Sequence, residues 1–191
     1  MRGTYALARV VVVRGAVART LLWIGLVGAV AGLIVPSLTG VRRGLMIGAA
    51  AFVLFTLIGL LQRFRWYGGR AKAVEKAAFA VTLEPPAETR QRLARGHALW
   101  LVVGMSLTSA LGLTAGPAAG MLVFGYGFGL FCATRLQARW ERSHETLLWA
   151  RTEDGRLLGR RSRIGAFAGT GPAAGQVRRP VVRGAGRVRR A

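Results

Sequence analysis

Three stretches of this chain contain no Asp, Glu, Lys or Arg: Thr20 to Val41, Gly44 to Gln62 and Gly96 to Thr134. A helix rises about 1.5 Å per residue, so roughly 20 apolar residues cross the hydrocarbon core of a bilayer. The first two stretches each fit one crossing. The third is about twice as long as a single crossing requires, and Gly112-Leu-Thr-Ala-Gly-Pro-Ala-Ala-Gly120 places a turn in its middle. Pro117 and the clustered glycines would break a continuous helix there. The pattern predicts four transmembrane helices, near residues 20–36, 44–62, 97–114 and 118–134.

Composition supports this and adds an orientation. The 191 residues are 52% hydrophobic, with 28 Lys+Arg against 7 Asp+Glu and a net charge of +21. Apolar excess and single-sign charge both oppose a compact water-soluble core, whereas a membrane protein sorts them into lipid and onto one face. Four basic residues precede the first crossing, eight fall between Arg63 and Arg95, and fourteen follow from Arg135 onward. The other side holds only Arg42 and Arg43. By the positive-inside rule both termini and the long central loop are cytoplasmic. Trp23, Trp66, Trp100, Trp140 and Trp149 lie at or just beyond the same predicted ends, where an apolar ring with a polar N–H is favoured. A cleaved leader ending at Ala29-Val30-Ala31 competes with the first crossing, but the apolar stretch continues through Val35.

The expected fold class is thus an all-α integral membrane protein of the plasma membrane, with four transmembrane helices arranged as two antiparallel hairpins. Residues 1–19 form a basic N-terminal segment, either a short interfacial helix or the start of the first crossing. The first hairpin covers 20–62 and the second 96–134. Between them, 63–95 is a basic cytoplasmic loop in which Gly68-Gly69 breaks the second helix. A short Ala-rich helix follows at 70–82 and stops at Glu84-Pro85-Pro86. Leu136, Trp140, His144, Leu147 and Leu148 recur at helical spacing, so a helical extension is expected over 135–161. It ends at Asp154-Gly155, or that pair turns a hairpin between 146–151 and 156–161. Residues 162–191 are rich in Arg, Gly, Ala and Pro with few large apolar residues. Such a tail cannot bury enough surface to offset its ordering entropy, and disorder is expected.

Candidate chemistry is sparse. Gly28/Gly32, Gly44/Gly48 and Gly125/Gly129 are spaced four apart within crossings. That spacing lets backbones approach closely, either inside one bundle or between copies of a homo-oligomer. Gly125-Tyr126-Gly127 shares its tripeptide with potassium-channel filters, but Leu122-Val123-Phe124 replaces the residues that should precede it. Glu141-Arg-Ser-His144 has the E-x-x-H spacing of di-iron bundles. It is a single copy among arginines, and a solvated helix face accounts for it. Cys132 is the only cysteine, so neither an intramolecular disulfide nor a multi-cysteine metal cage is available. No nucleophile motif, phosphate loop or metal-ligand spacing occurs, and no cofactor is expected. None of the four crossings contains an Asp, Glu, Lys or Arg. That argues against ion-coupled transport, which normally needs an ionisable group in the membrane.

The distal arginines Arg178, Arg179, Arg183, Arg187, Arg189 and Arg190 lie beyond the range that topology alone requires. Their candidate partners are anionic membrane lipids, nucleic acid or an acidic protein. Absence of aromatic residues among them argues against base stacking. The leading expectation is a small non-enzymatic scaffold or accessory subunit whose basic cytoplasmic face docks anionic lipid or an acidic partner. The alternatives are a DNA-associating membrane protein of plasmid-transfer type in a GC-rich bacterium, and an oligomeric pore or small-solute channel.

Overall fold

Proline and glycine mark several of the helix boundaries. The computed structural model describes residues 7–35, 37–70, 75–76, 83–151 and 168–171. Helix α1 (Val10–Ile34) stops two residues before Pro36. Val35 is extended, with φ −88° and ψ 130°, because the residue before a proline is pushed out of the helical region. Helix α2 spans Val41–Arg70. Helix α3 spans Pro86–Ala115, starting on a proline whose missing N–H costs nothing in a first turn. Gly116, at φ 61° and ψ −146°, separates it from α4 (Ala118–Ser143). Few residues other than glycine adopt that conformation without strain. All four helices are long and apolar enough to cross a membrane.

Neighbours in sequence are not the main neighbours in packing. α4 packs along both α1 and α2, α3 packs along α1, and α1 hardly touches α2. Close approaches at glycines give the directions. Gly28 meets Thr108 and Gly32 meets Gly112, so α1 and α3 run parallel. Gly25 meets Phe124 and Gly32 meets Gly116, so α4 runs back along α1. Gly48 meets Met121, Gly125 meets Phe52 and Gly129 meets Thr56, so α2 and α4 run parallel. Directions therefore alternate along the chain, yet each helix makes its broadest contact with a non-consecutive partner. Short connections fix where helix ends lie, whereas small-residue faces decide which helices can approach.

This arrangement gathers the N-terminal ends of α1 and α3 and the C-terminal ends of α2 and α4 at one end of the bundle. A four-stranded sheet sits there, in the order β1-β3-β4-β2. Its strands are β1 (Leu7–Arg9), β2 (Glu75–Lys76), β3 (Leu147–Arg151) and β4 (Ala168–Thr170). β3 is antiparallel to both β1 and β4, in registers that pair Arg9 with Trp149 and Leu148 with Gly169. β2 runs parallel to β4. On the outer side of β1, Leu83 bridges Leu7 and the Glu84 N–H donates to the Leu7 carbonyl at 2.9 Å. The loop between the second and third crossings thus contributes to both edges of the sheet, where unpaired strands would otherwise be exposed.

Several expectations are corrected by this sheet. The chain is mostly helical rather than all-α. Within the helix expected over 70–82, Glu75–Lys76 is strand β2, and α2 continues through Gly68-Gly69 to Arg70. The extension expected over 135–161 is helical to Ser143 and becomes strand β3 at Leu147–Arg151. At the junction the Thr146 N–H bonds to the Glu141 carbonyl at 3.1 Å, with Glu145 left-handed at φ 51°. This is the pattern of a Schellman stop. Leu147 and Leu148, whose spacing fitted a helical stripe, are buried in β3 instead. Within the tail expected to be disordered, 168–170 forms β4. The remainder of that tail lies outside the described residues, as does the Asp154-Gly155 turn. Of the N-terminal segment, Leu7–Arg9 is strand β1 and Val10 to Arg19 is the continuous start of α1. Val13 packs with Ala8, Ala16 and Leu93 in the protein interior.

Candidate functional site

The end of the bundle that carries the sheet concentrates the polar structure of the described chain. Its centre is Glu141, which is 1% exposed in the last turn of α4. Arg9, leaving β1, donates to Glu141 Oε2 from Nη2 at 2.9 Å and from Nε at 3.3 Å. Gln137, one turn back, donates from Nε2 to Oε1 at 3.0 Å. Taking a carboxylate out of water is costly, and a fork-shaped guanidinium with an added amide is the arrangement that offsets it. A partly buried ion pair therefore ties the strand before the first crossing to the helix of the fourth. The solvated face expected for Glu141 is corrected: its side chain faces inward, whereas His144 is exposed and stacks on Trp140 at 4.3 Å.

Trp149 fills the middle of the sheet at 1% exposure, with Leu7 and Leu147 beside it and Leu83 packed against them. Its indole N–H donates to Thr170 Oγ1 at 2.6 Å. The bond satisfies the one polar atom of a buried ring and ties β3 to β4 through side chains as well as backbone. Trp149 is thus a core residue rather than an interfacial anchor. Trp23, by contrast, is 56% exposed on α1.

Between α1 and α3, beside the sheet end, lies an open cleft of about 190 Å³. Thr20 and His97 are buried in its floor, with Thr20 Oγ1 3.3 Å from His97 Nδ1. Trp23 and Leu101 form apolar walls, and the exposed arginines Arg19 and Arg90 line it from the two helices. Arg19 Nε donates to the Gly15 carbonyl at 3.3 Å. This bond lays its side chain back along α1 and uses one of five N–H donors. The ion pairs of the described residues are Arg9–Glu141 and Arg92–Glu84. Neither arginine of the cleft meets a carboxylate there.

The glycines singled out by spacing all lie against helices of the same chain. A Cβ on Gly28 would fall 2.6 Å from Thr108, and one on Gly44 would fall 2.8 Å from Pro117. Gly32, Gly48, Gly125 and Gly129 are equally closed by their neighbours. Threonines add polar links between the same helices. Thr56 donates to the Gly125 carbonyl at 3.0 Å, and the Thr108 hydroxyl, which donates within its own helix to the Gly104 carbonyl at 2.8 Å, sits 3.3 Å from the Ile24 carbonyl. Gly125-Tyr126-Gly127 is helical throughout, and Tyr126 donates its hydroxyl to Gln62 at 3.3 Å.

Arg178, Arg179, Arg183, Arg187, Arg189 and Arg190 lie outside the described residues. Among the described residues no three His, Cys, Asp or Glu side chains converge as a metal site would need. Sequence reasoning missed the Arg9–Glu141 pair because 132 positions separate its members. It also missed the Thr20–His97 contact, for which no local spacing rule exists. Comparison with protein-family models, curated proteins and solved structures gave no match to this chain.

Proposed function

We propose that this chain is a non-enzymatic, multi-pass component of the plasma membrane, a scaffold or accessory subunit that docks anionic partners at its cytoplasmic face. One observation carries the reading: β1, β2, β3 and β4 bring together segments from all three regions that hold 26 of the 28 basic residues. The opposite end holds Arg42 and Arg43 alone. An asymmetry of that kind favours a cytoplasmic position for the sheet end. It faces a leaflet rich in anionic lipid, to which each nearby basic side chain adds about 1 kcal/mol of attraction. The two functions a bundle of this size could otherwise serve find less support. An ion-coupled carrier normally places a charged group deep in the membrane, and the predicted crossings contain no Asp, Glu, Lys or Arg. For a polar solute path, Thr108 and Thr114 offer hydroxyls that are already donated to the Gly104 and Leu111 carbonyls of their own helix.

The test uses the full-length protein in neutral-lipid nanodiscs and a version ending at Gly171, which keeps β4 intact. Each is titrated with anionic vesicles and separately with duplex DNA across a salt series. Vesicle binding that weakens with salt and with truncation, without stable duplex binding at physiological salt, is the expected result. Duplex binding that falls steeply with salt and vanishes on truncation would replace this reading with nucleic-acid association. If truncation alters neither, the distal arginines do not dock anything.

A further inference from the structure

The cleft between α1 and α3 has features that the tail arginines do not explain. We infer that it is a binding site for the headgroup of one anionic phospholipid, with Arg19 and Arg90 holding the phosphate. The inference rests on the membrane placement of the four helices and on nothing beyond residue 171.

Three observations converge on it. Arg19 and Arg90 come from different helices, line one concavity, and meet no carboxylate among the described residues. Two guanidinium groups lining one cavity with no carboxylate between them attract an anion, and a phosphate is the anion their N–H geometry suits best. The floor is polar: buried Thr20 and His97 bring hydrogen-bonding groups to a level where bare hydrocarbon would be unfavourable. The walls are apolar, from Trp23 and Leu101. A soluble anion makes no use of such walls, whereas the glycerol and upper acyl carbons of a lipid do.

Size and direction agree. About 190 Å³ is smaller than the roughly 300–1,000 Å³ of sites that enclose a whole small-molecule ligand. It suits a headgroup whose tails remain outside. A track for those tails begins at once, since Trp23, Leu26 and Val30 are exposed and spaced three and four apart along α1. Leu26 and Val30 also lie deeper in the first crossing than Arg19 does, so headgroup and tails would have the polarity gradient of the leaflet. Basic pockets between transmembrane helices at the cytoplasmic side are where anionic headgroups lodge in general.

The experiment is native mass spectrometry of the full-length protein released from detergent and titrated with phosphatidylglycerol, phosphatidylcholine or inorganic phosphate. One tightly retained phosphatidylglycerol is expected, with no comparable retention of phosphatidylcholine. Arg19→Gln and Arg90→Gln should each weaken retention about fivefold, the factor corresponding to the loss of one basic contact near the surface. The Arg42→Gln/Arg43→Gln variant, altered at the opposite end, should retain the lipid as the parent does. So should the version ending at Gly171, which separates this site from docking through the tail. A second readout does not depend on charge variants folding. Brominated phosphatidylglycerol should quench the Trp23 fluorescence, taken as the difference between the parent and Trp23→Phe, and brominated phosphatidylcholine should not. The inference is overturned if the Arg19→Gln/Arg90→Gln double variant keeps full retention, if the opposite-end variant loses as much, or if Trp23 is quenched equally by both lipids. Displacement of the lipid by inorganic phosphate at equal concentration would overturn it too, making the cleft a free-anion site instead.

Discussion

The bundle and the sheet that caps it are held together by opposite means. Where α4 meets α1 and α2, what matters is the lack of side chains: a Cβ on Gly120 would collide with the backbone of Ala29, and one on Gly129 with the Thr56 carbonyl. No ionisable side chain lies at the glycine contacts of these interfaces. In the cap, what matters is matched polar groups: Arg9 against Glu141, the Trp149 indole against Thr170. The difference follows from solvent. Lipid tails give packed helices no hydrophobic advantage, so close van der Waals approach and a few threonine bonds must supply the association. On the placement proposed above the cap borders water, where burying Trp149, Leu7 and Leu147 is itself favourable and charged groups have to be paired.

The sharpest way to break this contrast is to place a side chain where the bundle has none. Gly120→Leu should destabilise the fold by about 3 kcal/mol or more, at the upper end for overpacking, because the obstacle is backbone that no rotamer change can clear. Reversible unfolding in mixed micelles would show it, and an unchanged midpoint would mean that α4 does not lie against α1. Next in size is the cap. Glu141→Ala should cost about 2–3 kcal/mol, below the full value for a broken buried pair because Arg9 keeps 28% of its side chain exposed. Hydrogen exchange should quicken at 147–150 while amides around Gly120 to Gly129 stay protected. The double variant Arg9→Met/Glu141→Met should recover much of the loss. Equal deprotection of both regions would show that the cap and the bundle form one cooperative unit. The smallest effect has the other sign. A Cβ added at Gly96, in α3, would point into open space with no neighbouring heavy atom within 4 Å, so Gly96→Ala should stabilise by about 0.5–1 kcal/mol through helix propensity alone. Thermal unfolding in the same micelles checks it, and destabilisation there would mean that something covers that face of α3.

How much of this is legible in the sequence divides along the same line. The crossings are legible because each is set by a local run: a charge-free stretch of the right length, closed by Pro36, by Gly116-Pro117, or by the return of arginine. The turn between α3 and α4 is legible for the same reason. The interleaved packing is not, since Gly28 and Gly120 both mark faces that can approach a helix without saying which one. The cap is least legible. β1 and β4 have three residues each and β2 has two, too short for an alternation to register. Leu147 and Leu148 continue a helical spacing that begins at Leu136, and the left-handed turn at Glu145 ends it. Glu141 reads as solvated because its immediate neighbours include arginine, yet the arginine that pairs with it is Arg9, from the other end of the sequence.

The order of strands in the cap has a bearing on how the chain is threaded. β1 precedes the first crossing, β2 follows the second, and β3 and β4 follow the fourth, so an even number of passages separates every pair that must hydrogen-bond. A nascent chain that skips one passage delivers its later strands to the wrong compartment, and Leu7–Arg9 is left with an open edge. Completion of the sheet at Thr170 is therefore a parity check on insertion. It can be passed only after the last helix has been laid down, and it is failed in a form that exposes unpaired backbone to whatever surveys the membrane surface.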